Sequence, residues 1–340
     1  MKKYKVVVVG IGLVGKRLIR ILRERNFPAS EIRVLARRAR TETVDGVDYE
    51  VVPASLDAFE DMDIALFAGT EGDKGASTLF GWGAVEKGCV VVDNGNDFRM
   101  DERVPLVVPE VNPEALRDHR GFVANPNCST IQMVTALAPL HRRARIRRIV
   151  VSTYQSVSGS GGSAVAELER QVREVPAGKP ANPGVYPHQI FANVIPRIGG
   201  LQPDAPGYTS EEVKMVRETR KILGAPDIRV SATCVRVPVS YAHSEAINVE
   251  FEEPLSADEA RDILSQAPGV VVIDDPENDK YPLPLDCEGR DEVFVGRIRE
   301  DTSRPNCLDL WCVADNIRKG AATNAVQIAE KMIEMGLIGV

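Results

Sequence analysis

Of the six cysteines in this chain, Cys128 stands where a thiol could do chemistry. Its surroundings read VANPNCSTIQMV, residues 123–134. A strand-like run precedes it, and an apolar helical pattern of Ile131, Val134 and Leu137 or Ala138 follows. A thiolate at a helix start is stabilised by unpaired backbone N–H groups and by the helix dipole. The same amides could hold an oxyanion formed at an attacked carbon. Pro126 and Asn127 set the turn into the helix. Taken alone, the stretch suits a small buried apolar residue equally well. A cysteine nucleophile also needs an acid/base partner. Of four histidines, His119 and His141 lie in charged segments and His188 in a Pro-rich one. His243, in CVRVPVSYAHSEAINV, follows one strand pattern and precedes another, with Arg236 seven residues earlier, and is the best candidate. The glycine-rich YQSVSGSGG (154–162) could approach a ligand closely.

A second chemical signal opens the chain. In VVVVGIGLVGKRLIRIL, Gly10, Gly12 and Gly15 form a GxGxxG pattern, with Ile11, Leu13 and Val14 between them. The strand before and helix after it make this a dinucleotide-binding loop rather than an ordinary tight turn. The first glycine serves the turn, the second admits a pyrophosphate, and the third lets helix and strand pack closely. An NAD enzyme would place an acid at the end of the second strand, roughly 20 residues on. Here LARRARTE puts Arg37, Arg38 and Arg40 there, where a 2′-phosphate would lie. That pattern predicts NADP(H).

These residues need elements to position them. KVVVVG (5–10), IRVLAR (32–37), YEVVPA (49–54), DIALFAG (63–69), CVVVDN (89–94) and GFVANP (121–126) read as buried strands separated by helices, the first helix running through Leu22. Continuous apolar runs of this kind predict a parallel sheet covered on both faces. From about residue 146 longer strands of mixed alternation follow, such as IRRIVVSTYQSVSG, IRVSATCVRVPV, SEAINVEFEE and CLDLWCVADN, predicting an α+β domain. Residues 175–209 are rich in Pro and Gly and predict a long irregular connection. An amphipathic helix over 316–336 closes the chain.

The length suggests about two domains, and the 44 % hydrophobic fraction supports a sizeable core. A net charge of −7 argues against non-specific nucleic-acid binding. No CxxC pair occurs, which suits free thiols in a reducing cytoplasm. The apolar start is cut short by Lys16 and Arg17 without a cleavage-type site, and no later run reaches the ~20 residues of a membrane span. The expectation is a cytoplasmic protein without membrane or nucleic-acid partners.

Seven stretches in order, VANPNCSTIQ, VSTYQSVSGSGG, FANVIPRIGG, GYTSEEVKMVRETRKIL, CVRVPVSYAHSEAI, VGRIRED and ADNIRKGAATNAVQIAE, resemble the motifs of the aspartate-semialdehyde dehydrogenases. The resemblance extends from the first strand to the last helix. It implies an α/β fold like that of glyceraldehyde-3-phosphate dehydrogenase: a Rossmann-type NADP-binding domain over 1–126, completed by the closing helix 315–340, and an α+β catalytic and dimerisation domain over 127–314. It implies NADPH-dependent reduction of β-aspartyl phosphate to aspartate semialdehyde and phosphate through a cysteine thioester, in amino-acid biosynthesis. By resemblance Cys128 is the nucleophile, Gln155 orients the acyl group and His243 is the acid/base. Arg236 clamps the α-carboxylate, and Glu211 holds the α-ammonium. Lys214, one turn along the same helix face, and Arg99 reach the phosphate, and Asn127 lines the substrate site. Ser158, Gly159 and Asn316 match cofactor-contacting positions. No metal is implied, and a homodimer is.

Four stretches depart from the family, all on the cofactor side. GIGLVG stands where GATGxVG is usual, RRAR replaces an SxRS turn, AGTEGDKGAS follows the fourth strand, and DNGNDFR replaces DNSSAFR. An N-acetyl-γ-glutamyl-phosphate reductase would share the nucleotide domain and the cysteine. A non-catalytic nucleotide-binding protein is the remaining alternative.

Overall fold

The computed structural model describes residues 2–69 and 72–339. The chain divides into two compact units, one running to Asn127 and resuming at Ala321, the other spanning Cys128–Gly320.

The first unit begins with β1 (Tyr4–Val9), α1 (Leu13–Glu24), β2 (Ala29–Ala36), β3 (Arg40–Val44), β4 (Val47–Pro53), β5 (Ile64–Phe67), α2 (Ala76–Glu86), β6 (Val90–Asp93) and β7 (Phe122–Ala124). Its sheet runs β3-β4-β2-β1-β5-β6-β7. All pairs are parallel except β3–β4. Val6, Val8, Ile64, Leu66, Val90 and Val92 pack in its core with Leu18 and Leu22 of α1. Such strands, buried on both faces, are why the runs are continuously apolar.

The expected alternation of strand and helix fails between β2 and β5 and again between β6 and β7, where no α-helix intervenes. No strand is expected between 32–37 and 49–54, yet Arg40 opens β3, and β3 and β4 form a hairpin with Val44 opposite Val47. The signal was VDGV: Asp45 and Gly46 have φ of 48° and 76°, the two left-handed positions of a type I′ turn. Between β4 and β5 there is only a single 3₁₀ turn, Leu56–Phe59.

The second unit holds α3 (Cys128–Ala144), β8 (Ile146–Gln155), α4 (Gly162–Glu174), β9 (Leu201–Gln202), β10 (Ala205–Thr209), α5 (Ser210–Ile222), β11 (Arg229–Arg236), β12 (His243–Phe251), α6 (Ala257–Ser265), β13 (Val270–Val272), the single turn α7 (Pro284–Cys287), β14 (Val293–Glu300) and β15 (Cys307–Ala314). Its mixed sheet runs β11-β8-β12-β15-β14-β13. Met133, Leu137 and Leu140 of α3, Met215 of α5 and Leu264 of α6 pack on one face, against Ile149, Val151, Ile247, Val249 and Leu310. The α3 helix differs from its expected stripe: residues 129–138 are all buried, polar ones included. Within 175–209, residues 175–200 carry no helix or strand, and α4 pins part of them. Glu167 accepts from the backbone of Gly184 and Val185, and Gln171 from that of Ile190 and Phe191.

The closing segment is not one helix over 316–336. Arg318–Ala322 forms a widened π turn, and α8 (Thr323–Glu334) follows, packing Val326, Ile328 and Met332 into the core of the first unit. Asp315 starts the turn by accepting from the backbone N–H of Ile317 and Arg318.

Candidate active site

Three adjacent strands bring three of the predicted residues side by side. Gln155 ends β8 and is the register partner of Arg236, which ends β11. On the other side of β8, Ser244 of β12 pairs with Tyr154, which puts His243 beside Gln155. All three lie on the helix-covered face, 5 % exposed or less. Alternation along each strand decides this, since a shift of one residue would turn each side chain to the opposite face.

Hydrogen bonds lock the group. Gln155 accepts from Thr153 Oγ1 at 3.1 Å and donates through Nε2 to Glu211 Oε1 at 3.1 Å. Glu211 lies 3.7 Å from Lys214 on α5. Its neighbour Glu212 has a different task, closing a capping box with Thr209 and accepting from Cys234 N. In EE, one carboxylate caps the helix and the other faces Gln155.

His243 is fully buried. Its Nδ1 takes the backbone N–H of Ser156 at 3.0 Å and lies 2.9 Å from Ser156 Oγ. A backbone N–H can only donate, so in the neutral ring Nε2 carries the proton. Burial, and then the charge of Arg236, hold the imidazole well below its usual range. Ser156 Oγ and Ser158 Oγ donate to Asn316 Oδ1 at 2.9 Å and 3.2 Å, and Ala242 N does so at 3.1 Å. Ser158 and Asn316 are buried parts of the histidine's support.

Arg236 donates to Ser156 O at 2.6 Å through Nη1, while its buried Nε finds no partner among the described residues. An unsatisfied N–H on a buried guanidinium calls for an anionic acceptor. Gly159 makes room for the pair: a Cβ there would sit 2.9 Å from Arg236 Nη1 and 3.4 Å from His243 Nε2.

Cys128 is the first residue of α3 and is half-buried, whereas the other five cysteines are buried. Burial pushes the thiols of Cys89 and Cys287 up to about 12 and raises those of Cys234, Cys307 and Cys312. Those five are inert small hydrophobes. Gly320 of the π turn packs directly on Cys128, for a Cβ at 320 would lie 2.8 Å from Cys128 Cβ and 3.6 Å from Asn316 Cβ.

In the first unit the glycine loop has the packing its pattern implies. A Cβ on Gly15 would fall 1.9 Å from the carbonyl oxygen of Gly10, while one on Gly12, the residue before α1, would meet nothing within 4 Å. Ile11 is buried, and Leu13 and Val14 are half-buried. The cradle fits a pyrophosphate. Arg37, Arg38 and Arg40 are exposed beyond β2. Arg40 is committed to Glu42 at 2.7 Å, which also takes Lys16 at 2.9 Å. Arg99 is buried and ties two strand ends, donating to Asn125 O at 3.0 Å and Asn94 O at 2.8 Å, and Asn127 is buried.

Sequence reasoning missed Ser156, although it lies inside the quoted glycine-rich stretch, and Gly320. A serine's polar partner and a glycine's close neighbour are both set by distant segments. Among the described residues no cluster of three or more His, Cys, Asp or Glu could hold a metal, and no helix is long and apolar enough to cross a membrane.

Residues 5–119 match the family model described as semialdehyde dehydrogenase, NAD binding domain, and residues 137–319 match the semialdehyde dehydrogenase dimerisation domain. The chain is 51 % identical over 346 residues to aspartate-semialdehyde dehydrogenase of Aquifex aeolicus, covering 98 % of this chain and 99 % of that one. It is 43 % identical over 345 residues to that of Bacillus subtilis, covering 98 % of each. Its fold matches the crystal structure of aspartate semialdehyde dehydrogenase II from Vibrio cholerae complexed with ASA, with TM-score 0.93, 42 % identity, and 98 % and 99 % of the two chains covered.

Proposed function

We propose the following division of labour for this chain, which belongs to the aspartate-semialdehyde dehydrogenase family. Cys128 is the nucleophile, His243 and Gln155 handle the reacting oxygen, Arg236 and Glu211 hold the amino-acid end, and Lys214 takes phosphate. The substrates are aspartate semialdehyde, β-aspartyl phosphate and phosphate. The observation that carries the reading is the buried Arg236, with an open N–H beside Gln155 and His243.

In the oxidative direction the Cys128 thiolate adds to the aldehyde carbon and the carbonyl oxygen becomes an oxyanion. The Nε2 protons of His243 and Gln155 lie side by side, with the nitrogens 3.5 Å apart. Two donors placed so are satisfied by one negatively charged oxygen. When bound, the nicotinamide nucleotide accepts or supplies the hydride. The thioester left on Cys128 is opened by phosphate, and the thiolate leaves. Burial of the acyl group among Gln155, Arg236 and His243 keeps water from competing.

NADP is the proposed nucleotide because Arg37 and Arg38 follow β2 where NAD enzymes carry an acid. The matched dimerisation model supports a homodimer, and six free cysteines support a cytoplasmic setting. An N-acetylated substrate is not favoured, since Glu211 offers a carboxylate suited to a free ammonium. The test is phosphate-dependent reduction of NADP with aspartate semialdehyde, NAD as control. Undiminished turnover by Cys128→Ala would overturn the covalent role.

A further inference from the structure

Behind the candidate site lies a carboxyl group that the proposed reaction does not use. Glu245 follows His243 by two residues on β12, so both side chains leave the same face of the strand. Its register partners are Thr153 on β8 and Cys312 on β15. From α3 it is met by Gln132, four residues past Cys128 and therefore on the same side of that helix. Glu245 and Gln132 are 0 % and 1 % exposed.

Gln132 is the side chain that acts on Glu245, and among the described residues neither oxygen of the acid nor either end of the amide completes a hydrogen bond in the structure, so four buried polar atoms are left to one another. The thiols of Cys312 and of Cys234 on β11 lie in electrostatic reach of the acid. Burial pushes the carboxyl well above its usual range. An ionised carboxylate here would accept from the amide N–H but face the amide oxygen with no proton to share. A protonated one donates its O–H to that oxygen and accepts the N–H on its carbonyl. Only the neutral acid satisfies all four atoms, and a buried charge without such partners is costly.

We propose that Glu245 is a neutral carboxylic acid, that it and the Gln132 amide close on one another to satisfy these four otherwise orphaned atoms, and that this pair fixes the start of α3, bearing Cys128, against the strand ends bearing Gln155 and His243. It is a positioning residue, and its role rests on the reading of Cys128 as the nucleophile. The periods that align the reacting groups also align the pair: two residues along β12 and four along α3.

The test compares wild type, Glu245→Gln, Glu245→Leu and Gln132→Met. The infrared difference between wild type and E245Q at pH 7 is expected to show the carbonyl band of a protonated acid. E245Q, still able to pair with the amide, is expected to stay within about threefold of wild-type kcat with the same pH profile. E245L and Q132M keep the volume but lose the pair. Both are expected to lower kcat by about tenfold or more with KM unchanged, as misplacement of a reacting group does, and to slow alkylation of Cys128 by iodoacetamide. A carboxylate band in place of the acid band overturns the proposal. So does an E245Q enzyme as slow as E245L, or wild-type kcat and alkylation in both E245L and Q132M. The infrared and alkylation readings need no turnover, so an enzyme inactive on aspartate semialdehyde would count against the proposed function and not against the pairing.

Discussion

The backbone N–H of Ser156 donates to Nδ1 of His243 at 3.0 Å, and Ser156 Oγ stands 2.9 Å from the same nitrogen. One residue therefore serves the ring in two ways. The N–H holds the neutral tautomer with its proton on Nε2, and the hydroxyl can accept from Nδ1 if the ring becomes charged. Ser156→Ala keeps the first contact and loses the second, along with the bond to Asn316. A fall in kcat of about tenfold to a hundredfold is expected, toward the lower end of what acid/base groups contribute. Steady-state kinetics of S156A against wild type checks it.

The depressed pKa of His243 has a signed consequence for stability. Above pH 6.5 the ring is neutral in both folded and unfolded chains. As pH falls below 6.5 the unfolded chain binds a proton that the buried ring resists, so stability is lost on acidification. Glu245 acts at the other end. Its raised pKa lets the unfolded chain ionise above about pH 4.5 while the folded acid keeps its proton, so that contribution is lost as pH rises. Each slope is about 1.4 kcal/mol per pH unit within its window. Denaturant unfolding against pH is expected to show a flatter alkaline side in E245Q and a flatter acid side in His243→Gln.

Gly159 and Gly320 separate substrate binding from chemistry. A methyl at 159 would press on Arg236 Nη1 at 2.9 Å. Gly159→Ala is expected to raise KM for aspartate semialdehyde about tenfold or more, since the guanidinium must shift. A methyl at 320 would press on Cys128 Cβ at 2.8 Å. Gly320→Ala is expected to reduce kcat about a hundredfold, the order that ~1 Å of misplacement costs. Matching changes in KM and kcat for both variants would contradict this assignment.

The arginines after β2 differ in availability. Arg40 is held by Glu42, whose carboxyl lies below the usual range through bonds from Arg40 and Lys16. Replacing Arg37 and Arg38 together with Ala is expected to raise KM for NADP about tenfold or more while leaving that for NAD nearly unchanged. Replacing Arg40 alone is expected to do less. Initial rates with the two nucleotides decide between them.

Local signals determined much of this protein. The glycine loop, the continuously apolar strands and the helix start at Cys128 were legible because each depends on neighbours within a few residues. The same locality makes the β3–β4 hairpin readable in principle, since Asp45-Gly46 announces the turn. The full burial of α3 is not legible as a stripe, because a helix buried on every side shows no polar face. What only the tertiary structure decided was the company of each residue. Gln155 and Arg236 become neighbours through parallel pairing of β8 with β11, and His243 joins them through antiparallel pairing of β12. Ser156 acquires its histidine, Gly320 its cysteine and Glu245 its amide the same way. Register across a sheet and packing across a helix are properties of segments remote in sequence, and no local pattern encodes them.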